Sequence, residues 1–236
     1  LAESQRLIAS TGAKAFIHST DVSDADSIRG LYQFALSRAG GVHLMMNNAG
    51  ISRFGPALEL SDDDWQRVID VNLWGVVHGC RIFGSHFVEQ GEGHIVNTAS
   101  VCGLSGLPTC ASYVTAKFGV VGLSEALRWE LAPDGVGVTV VCPGLVKTNI
   151  VQGVKNGAAN QQAIRRFGGR AEELAEKIAR AVQRDQARVL FGYEPQVSTI
   201  LRRLSPGLHD ALGRVLGVGA LRRLRSMAAE DGAGGH

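Results

Sequence analysis

The chain has 236 residues, 45% of them hydrophobic and 19% charged, which suits one domain with a sizeable buried core. Its 24 basic and 22 acidic residues are spread through the sequence and leave a net charge of +2, so no nucleic-acid partner is implied. No apolar run reaches membrane-spanning length and no signal-peptide pattern opens the chain. Four cysteines, Cys80, Cys102, Cys110 and Cys142, lack C-x-x-C spacing and suit reduced thiols better than bridges or metal ligands, so a reducing compartment, the cytoplasm, is expected.

The opening residues 1–8 read as helix, and residues 13–18 as a short strand ending at Thr20-Asp21-Val22. An amphipathic helix follows over 24–39. Residues 42–46 form a continuous apolar run that ends in Asn47-Asn48-Ala49-Gly50, the pattern of a fully buried strand closed by a turn. Ser61 and Asp64 resemble a capping box, and the helix they open extends to about Val88. A strand over 94–98, a helix over 112–131 and a Val-rich strand over 136–142, stopped by Pro143-Gly144, continue the alternation. A helix over 171–183 and a strand over 187–191 complete it. Trp65, Trp74 and Phe83 read as core or helix-packing residues. His43 and His94 read as surface or satisfied polar groups, because no second metal ligand lies at workable spacing.

Strands that alternate with helices and are apolar on both sides predict an α/β fold: a doubly wound parallel sheet with helices on both faces. Ligands of such sheets bind beyond the carboxyl ends of the strands, so chemistry is expected at Asp21-Val22, at residues 47–50, at Ser100 and at residues 143–148. Tyr113 and Lys117 stand four apart on a predicted helix and share one face. An ammonium beside a phenol favours phenolate, so the pair is expected to lower the tyrosine pKa and act as an acid-base catalyst. Ser100, after a strand and before a small-residue loop, can hydrogen-bond a substrate oxygen opposite the tyrosine. Hydride transfer would need a nicotinamide, since no side chain performs it.

Together with Asn72 on the long helix, these elements resemble the short-chain dehydrogenase/reductase family over residues 1–192, with twelve residues between Ser100 and Tyr113. The resemblance implies a Rossmann-type domain, a small-molecule alcohol or carbonyl substrate, and NAD or NADP as cofactor. It gives Tyr113 the role of general acid or base, Lys117 that of ribose holder and tuner of the tyrosine, Ser100 that of substrate orienter, and Asn72 that of anchor for a proton-relay water. It places Asp21 and Val22 at the adenine, Asn48, Ala49 and Gly50 along the adenosine ribose, and Pro143, Gly144, Val146 and Thr148 around the nicotinamide. A homodimer or homotetramer is also implied. A non-catalytic nucleotide-sensing or scaffold protein on the same fold is the competing reading.

Two departures accompany the resemblance. The first strands and the glycine-rich pyrophosphate loop of the family are absent, so an N-terminally truncated domain is expected, and with them is lost the residue that selects NAD or NADP. Beyond the domain, residues 193–225 carry Arg202, Arg203, Arg214, Arg222, Arg223 and Arg225 among leucines, a basic amphipathic helical extension. Packing on the domain or on a dimer partner is its favoured reading, and contact with an anionic membrane surface the other. Residues 149–168 occupy the place of a substrate lid, and 226–236 are expected to be a disordered tail.

Overall fold

The computed structural model describes residues 2–147 and 168–233, together with residues 162, 164 and 166. Helix α1 (Ala2–Ala9) leads by an extended segment to α2 (Ala25–Ala39). Asp24 caps α2 by accepting from Asp26 N at 2.9 Å, and Gly40 ends it in the left-handed region at φ 77°. Strand β1 (Leu44–Asn47) follows, then α3 (Asp62–Ile69), a π-helical turn (Asp70–Trp74) and α4 (Gly75–Gln90). Next come β2 (Gly93–Thr98), a 3-10 turn (Val101–Gly103), α5 (Ala111–Leu131) and β3 (Val136–Pro143). The chain closes with α6 (Ala171–Gln183), β4 (Arg188–Phe191), α7 (Glu194–Leu204) and α8 (Pro206–Ala233).

The four strands are parallel in the order β1-β2-β3-β4, with Met46 opposite Val96, Val96 opposite Thr139 and Val140 opposite Arg188. Alternation along the strands divides their side chains between two cores. On one face Ile95, Val138, Val140 and Cys142 pack with Ile28 of α2, Val76, Phe83 and Phe87 of α4 and Val120 of α5. On the other face Val96, Val141 and Val189 pack with Ala181 of α6 and its neighbours Leu174 and Ile178. Helices therefore cover both faces of β2 and β3, the doubly wound arrangement expected. Strand β1, expected to be fully buried, instead leaves Leu44 and Met46 exposed by 49% and 40% on the α6 side, which α6 does not reach. Helices α4, α5 and α6 each join neighbouring strands that step in one direction. Because α6 lies on the opposite face, its crossover has the opposite hand to the other two.

The structure differs from expectation at several points. Residues 13–18 are extended but pair with no strand among the described residues; Gln5 Nε2 donates to Ala15 O at 3.0 Å instead of a ladder partner. Alternating apolar side chains permit a strand, but only a neighbour's backbone makes one. The single helix expected from Ser61 to Val88 is two helices joined by the π turn. Trp74 is 46% exposed with its ring stacked on His78 at 5.7 Å, whereas Phe83 is buried in the core as expected. Helix α8 runs to Ala233, although disorder was expected from residue 226, because Met-Ala-Ala-Glu at 227–230 continues a helix-forming sequence.

Candidate active site

The carboxyl ends of β1, β2 and β3 all open on one edge of the sheet, and the expected residues gather there. After β2 the chain turns at Ser100, whose Oγ accepts from Cys102 N at 3.2 Å and so caps the 3-10 turn. That bond fixes the serine hydroxyl on the side of the loop that faces Tyr113, close enough to lower the phenol's pKa. Tyr113 and Lys117 lie one turn apart on α5, and Lys117 Nζ sits 5.6 Å from the centre of the Tyr113 ring. The same Nζ donates to Thr98 O at 2.7 Å, at the end of β2. Lys117 is only 2% exposed, so this carbonyl is what holds a buried ammonium in place.

Asn72 occupies the middle of the π turn, fully buried. Its Oδ1 accepts from Ile51 N at 2.9 Å and its Nδ2 donates to Ile51 O at 2.8 Å, which clamps the loop that follows β1. The π register appears as the bond from Gly75 N to Asp70 O, five residues back. Gly50 is drawn so close that a Cβ there would stand 2.9 Å from Asn72 Oδ1 and 3.7 Å from Lys117 Nζ. Glycine is required by this approach, which unites the Asn-Asn-Ala-Gly turn, the π turn and α5 at one point. The Thr98 hydroxyl donates to Asn48 Oδ1 at 3.1 Å and ties the turns after β1 and β2 together.

A cavity of about 150 Å³ lies at the end of β1, lined by Thr20, Val22, Met46, Asn48, Ala49 and Gly75 among others. Val22 leans so closely on the start of α4 that a Cβ on Gly75 would stand 2.9 Å from Val22 Cγ2. Asp21, expected beside Val22 at the adenine, has its carboxylate turned onto Ser23, accepting from Ser23 N at 3.0 Å and Ser23 Oγ at 2.6 Å; these bonds hold its pKa below the ordinary value. After β3, Gly144 N donates to Phe191 O at 2.8 Å, and Val146 bridges to Gly169. Pro143, Gly144 and Val146 thus stand at the end of β3, while Thr148 and most of the expected lid over 149–168 lie outside the described residues.

The electrostatics correct one expectation. Lys117 was expected to lower the Tyr113 phenol; instead burial raises it, the Cys102 and Cys110 thiols add to the rise, and the Ser100 hydroxyl only partly offsets it. Lys117 is itself desolvated, and burial brings its ammonium down to about 8. The thiols are the feature that sequence reading missed. Cys102 and Cys142 are buried close enough to Lys117 to oppose its shift, and burial pushes Cys110 up to about 12 and Cys142 to about 11. Thr98 was also missed, since it contributes a carbonyl that no motif marks. On the far side of the 101–108 loop, a cavity of about 760 Å³ lies between α7, α8 and the start of α5, lined mainly by Leu107, Pro108, Val114, Val197, Leu201 and Leu212.

A parallel sheet covered on both faces, with a serine, a tyrosine and a lysine converging at the carboxyl ends of its strands, defines an oxidoreductase of the dinucleotide-binding class. The comparisons make the class specific. The sequence pattern described as short chain dehydrogenase matches residues 1–159. SadH of Mycobacterium tuberculosis, which carries an oxidoreductase name, is 36% identical over 221 residues, covering 90% of this chain and 80% of that protein. Cyclohexanol dehydrogenase of an Acinetobacter species is 35% identical over 175 residues, 73% of this chain and 69% of its own. A short-chain dehydrogenase/reductase of Burkholderia phymatum, solved in complex with NAD, superimposes with a TM-score of 0.82 at 31% identity, covering 88% of this chain and 82% of that one. The chain belongs to the short-chain dehydrogenase family, and it is an NAD(P)-dependent oxidoreductase acting on an alcohol or carbonyl group.

Proposed function

We propose that this chain interconverts a secondary alcohol and its ketone, or an alcohol and an aldehyde, with Tyr113 as the general acid or base. The observation that carries the reading is the convergence of Ser100, Tyr113 and Lys117, with the lysine pinned to Thr98 O and 5.6 Å from the centre of the tyrosine ring. Burial keeps Tyr113 neutral, which is the form that donates a proton to a carbonyl oxygen as it is reduced. In the reverse direction the phenolate takes the proton of the alcohol, with Lys117 Nζ 5.6 Å from the centre of the ring. Ser100 donates to the same substrate oxygen and holds it against Tyr113. Asn72 fixes the loop carrying Gly50 through its clamp on Ile51, and in this reading anchors a proton-relay water.

The residues present fit part of a nicotinamide dinucleotide. Val22, Asn48 and Ala49 border the cavity at the end of β1, whose 150 Å³ suits one end of such a molecule rather than the whole. Gly50 lets the turn after β1 approach Lys117, the residue assigned to the ribose, and Pro143, Gly144 and Val146 at the end of β3 are assigned to the nicotinamide. Once bound, NAD or NADP supplies the hydride acceptor or donor. Cys102 and Leu104, both buried beside Ser100, give the substrate side an apolar lining. With relatives named as cyclohexanol and 3-alpha-(or 20-beta)-hydroxysteroid dehydrogenases, this favours an alicyclic alcohol or ketone.

The test is absorbance of the reduced nicotinamide with a panel of cyclic alcohols and ketones, with Tyr113→Phe beside the unaltered protein. Turnover that falls at least about a hundredfold in the variant, with the fold intact by circular dichroism, supports the reading. Cofactor binding without turnover in the unaltered protein would favour a nucleotide-sensing or scaffold role.

A further inference from the structure

The segment between Ser100 and Tyr113 is gripped from outside by helices α7 and α8. Arg202 of α7 donates from Nη1 to Leu104 O at 2.7 Å, and its guanidinium lies 5.4 Å from the centre of the Phe118 ring. Leu104 ends the 3-10 turn that Ser100 caps, and Phe118 follows Lys117 on α5. One side chain therefore touches both the turn that carries Ser100 and the helix that carries Tyr113 and Lys117. A guanidinium suits this place, because its face can lie over a ring while its edge donates a hydrogen bond. One residue further on, Ser105 Oγ and His209 Nε2 of α8 share a 2.8 Å hydrogen bond. Gly217 of α8 then comes so near Pro108 that a Cβ on it would stand 3.3 Å from the proline Cγ.

The backbone of the loop shows why it needs such a grip. Thr109 holds φ at 67°, a left-handed conformation that a β-branched residue rarely adopts and that persists only where the surroundings enforce it. Its carbonyl accepts from Gly55 N at 2.9 Å, and the next residue, Cys110, opens α5. On the inner side the turn is already seated, since a Cβ on Gly103 would stand 2.6 Å from Lys117 O. The turn cannot sink further toward α5, and Arg202 and His209 keep it from lifting away.

We propose that Arg202 is a positioning residue for the reaction assigned to Ser100 and Tyr113, a role that rests on that assignment. It fixes the loop between them, and so the place of the Ser100 hydroxyl relative to the phenol, with His209 as the second fastening. The first readout is independent of turnover. Cys102 is buried and its N–H donates to Ser100 Oγ, so its labelling by a chromogenic disulfide reagent, located by mass spectrometry, reports opening of the loop. Arg202→Ala removes a charge-assisted hydrogen bond and should raise the native-state labelling rate about tenfold or more, and His209→Ala should raise it less. Arg203→Ala, at an exposed neighbour, should leave it unchanged. The second readout is kinetic. With a cyclic alcohol, kcat should fall about tenfold in Arg202→Ala while the cofactor Kd stays within about twofold, and Arg202→Lys should lie between. In a Ser100→Ala background the loss of Arg202 should cost less than about twofold, because it acts through the serine. Unchanged labelling in Arg202→Ala, or a kinetic loss that persists in full without the serine hydroxyl, overturns the proposal. Faster labelling in Arg202→Ala, with no turnover by the unaltered protein, would overturn the assignment of Ser100 and Tyr113 and the positioning role with it, and leave the fastening as a structural contact.

Discussion

His94 Nε2 and Thr139 Oγ1 share a buried 2.8 Å hydrogen bond between β2 and β3, at the end of the sheet opposite the active site. Thr139 spends its own proton on Gln186 O at 2.7 Å, so its oxygen accepts from the histidine and the ring carries its proton on Nε2. The Nδ1 atom faces Asp185 Oδ1 at 4.0 Å. Burial lowers the His94 pKa, Arg128 adds to the fall and Asp185 opposes it. The folded protein therefore holds the ring neutral, while the unfolded chain titrates near 6.5. Stability from this site is complete above 6.5 and is lost as pH falls below it toward the lower folded value. The thermal midpoint should drop more steeply from pH 7.5 to about 5.5 in the unaltered protein than in His94→Asn. Parallel curves would show that His94 does not titrate in this way.

Arg128 closes the same end of the fold. Its Nη1 donates to Val138 O and Asp185 Oδ1 at 2.8 and 2.9 Å, and its Nη2 to Asp185 O and Oδ2 at 2.7 and 2.8 Å. A lysine keeps the charge but cannot make this fork. Since Asp185 is largely exposed, Arg128→Lys should cost about 1–2 kcal/mol, read from urea unfolding; a change under a few tenths would mean that the fork is dispensable.

At the active site, Asn72→Ala strands both Ile51 N and Ile51 O without their amide partner and should destabilise the fold by about 1–3 kcal/mol. Gly50→Ala presses a methyl group onto Asn72 Oδ1, and kcat should fall about tenfold or more while the fold persists. Steady-state kinetics and circular dichroism on the two variants check both statements. An alanine at 50 with full turnover would show that the loop has room to give.

All four cysteines are free and buried, and burial raises each thiol above its ordinary value, Cys80 and Cys142 to about 11 and Cys110 to about 12. Thiolate is scarce at neutral pH, so a chromogenic disulfide reagent should find almost no reactive thiol in the native protein and all four after denaturation. Fast labelling of Cys102 in the native state would mean that the active-site loop opens to water.

Much of this architecture was legible in the residues. The helix at 171–183 and the strands around 94–98, 136–142 and 187–191 emerge where expected, because their apolar periods are long and their stops are Gly, Pro or a cap. Spacing alone put Tyr113 and Lys117 on one face, and the ends of strands put Ser100 and the Asn-Asn-Ala-Gly turn on one edge. The π turn was not legible. It carries Asn72, whose clamp on Ile51 joins residues 21 apart, a contact that no local pattern in the sequence marks.

What the sequence by itself determined is local: where helices begin, which residue types stand together, and which chemistry those types can do. Only the tertiary structure decided the state of each group. The Tyr113 phenol rises rather than falls because burial takes it out of water and the Cys102 and Cys110 thiols of the neighbouring loop add to the rise. The Lys117 ammonium loses part of its charge preference for the same reason, and residues 13–18 stay unpaired because no strand lies beside them among the described residues. Solvation and backbone pairing are properties of surroundings, and the surroundings of a residue come from distant parts of the chain.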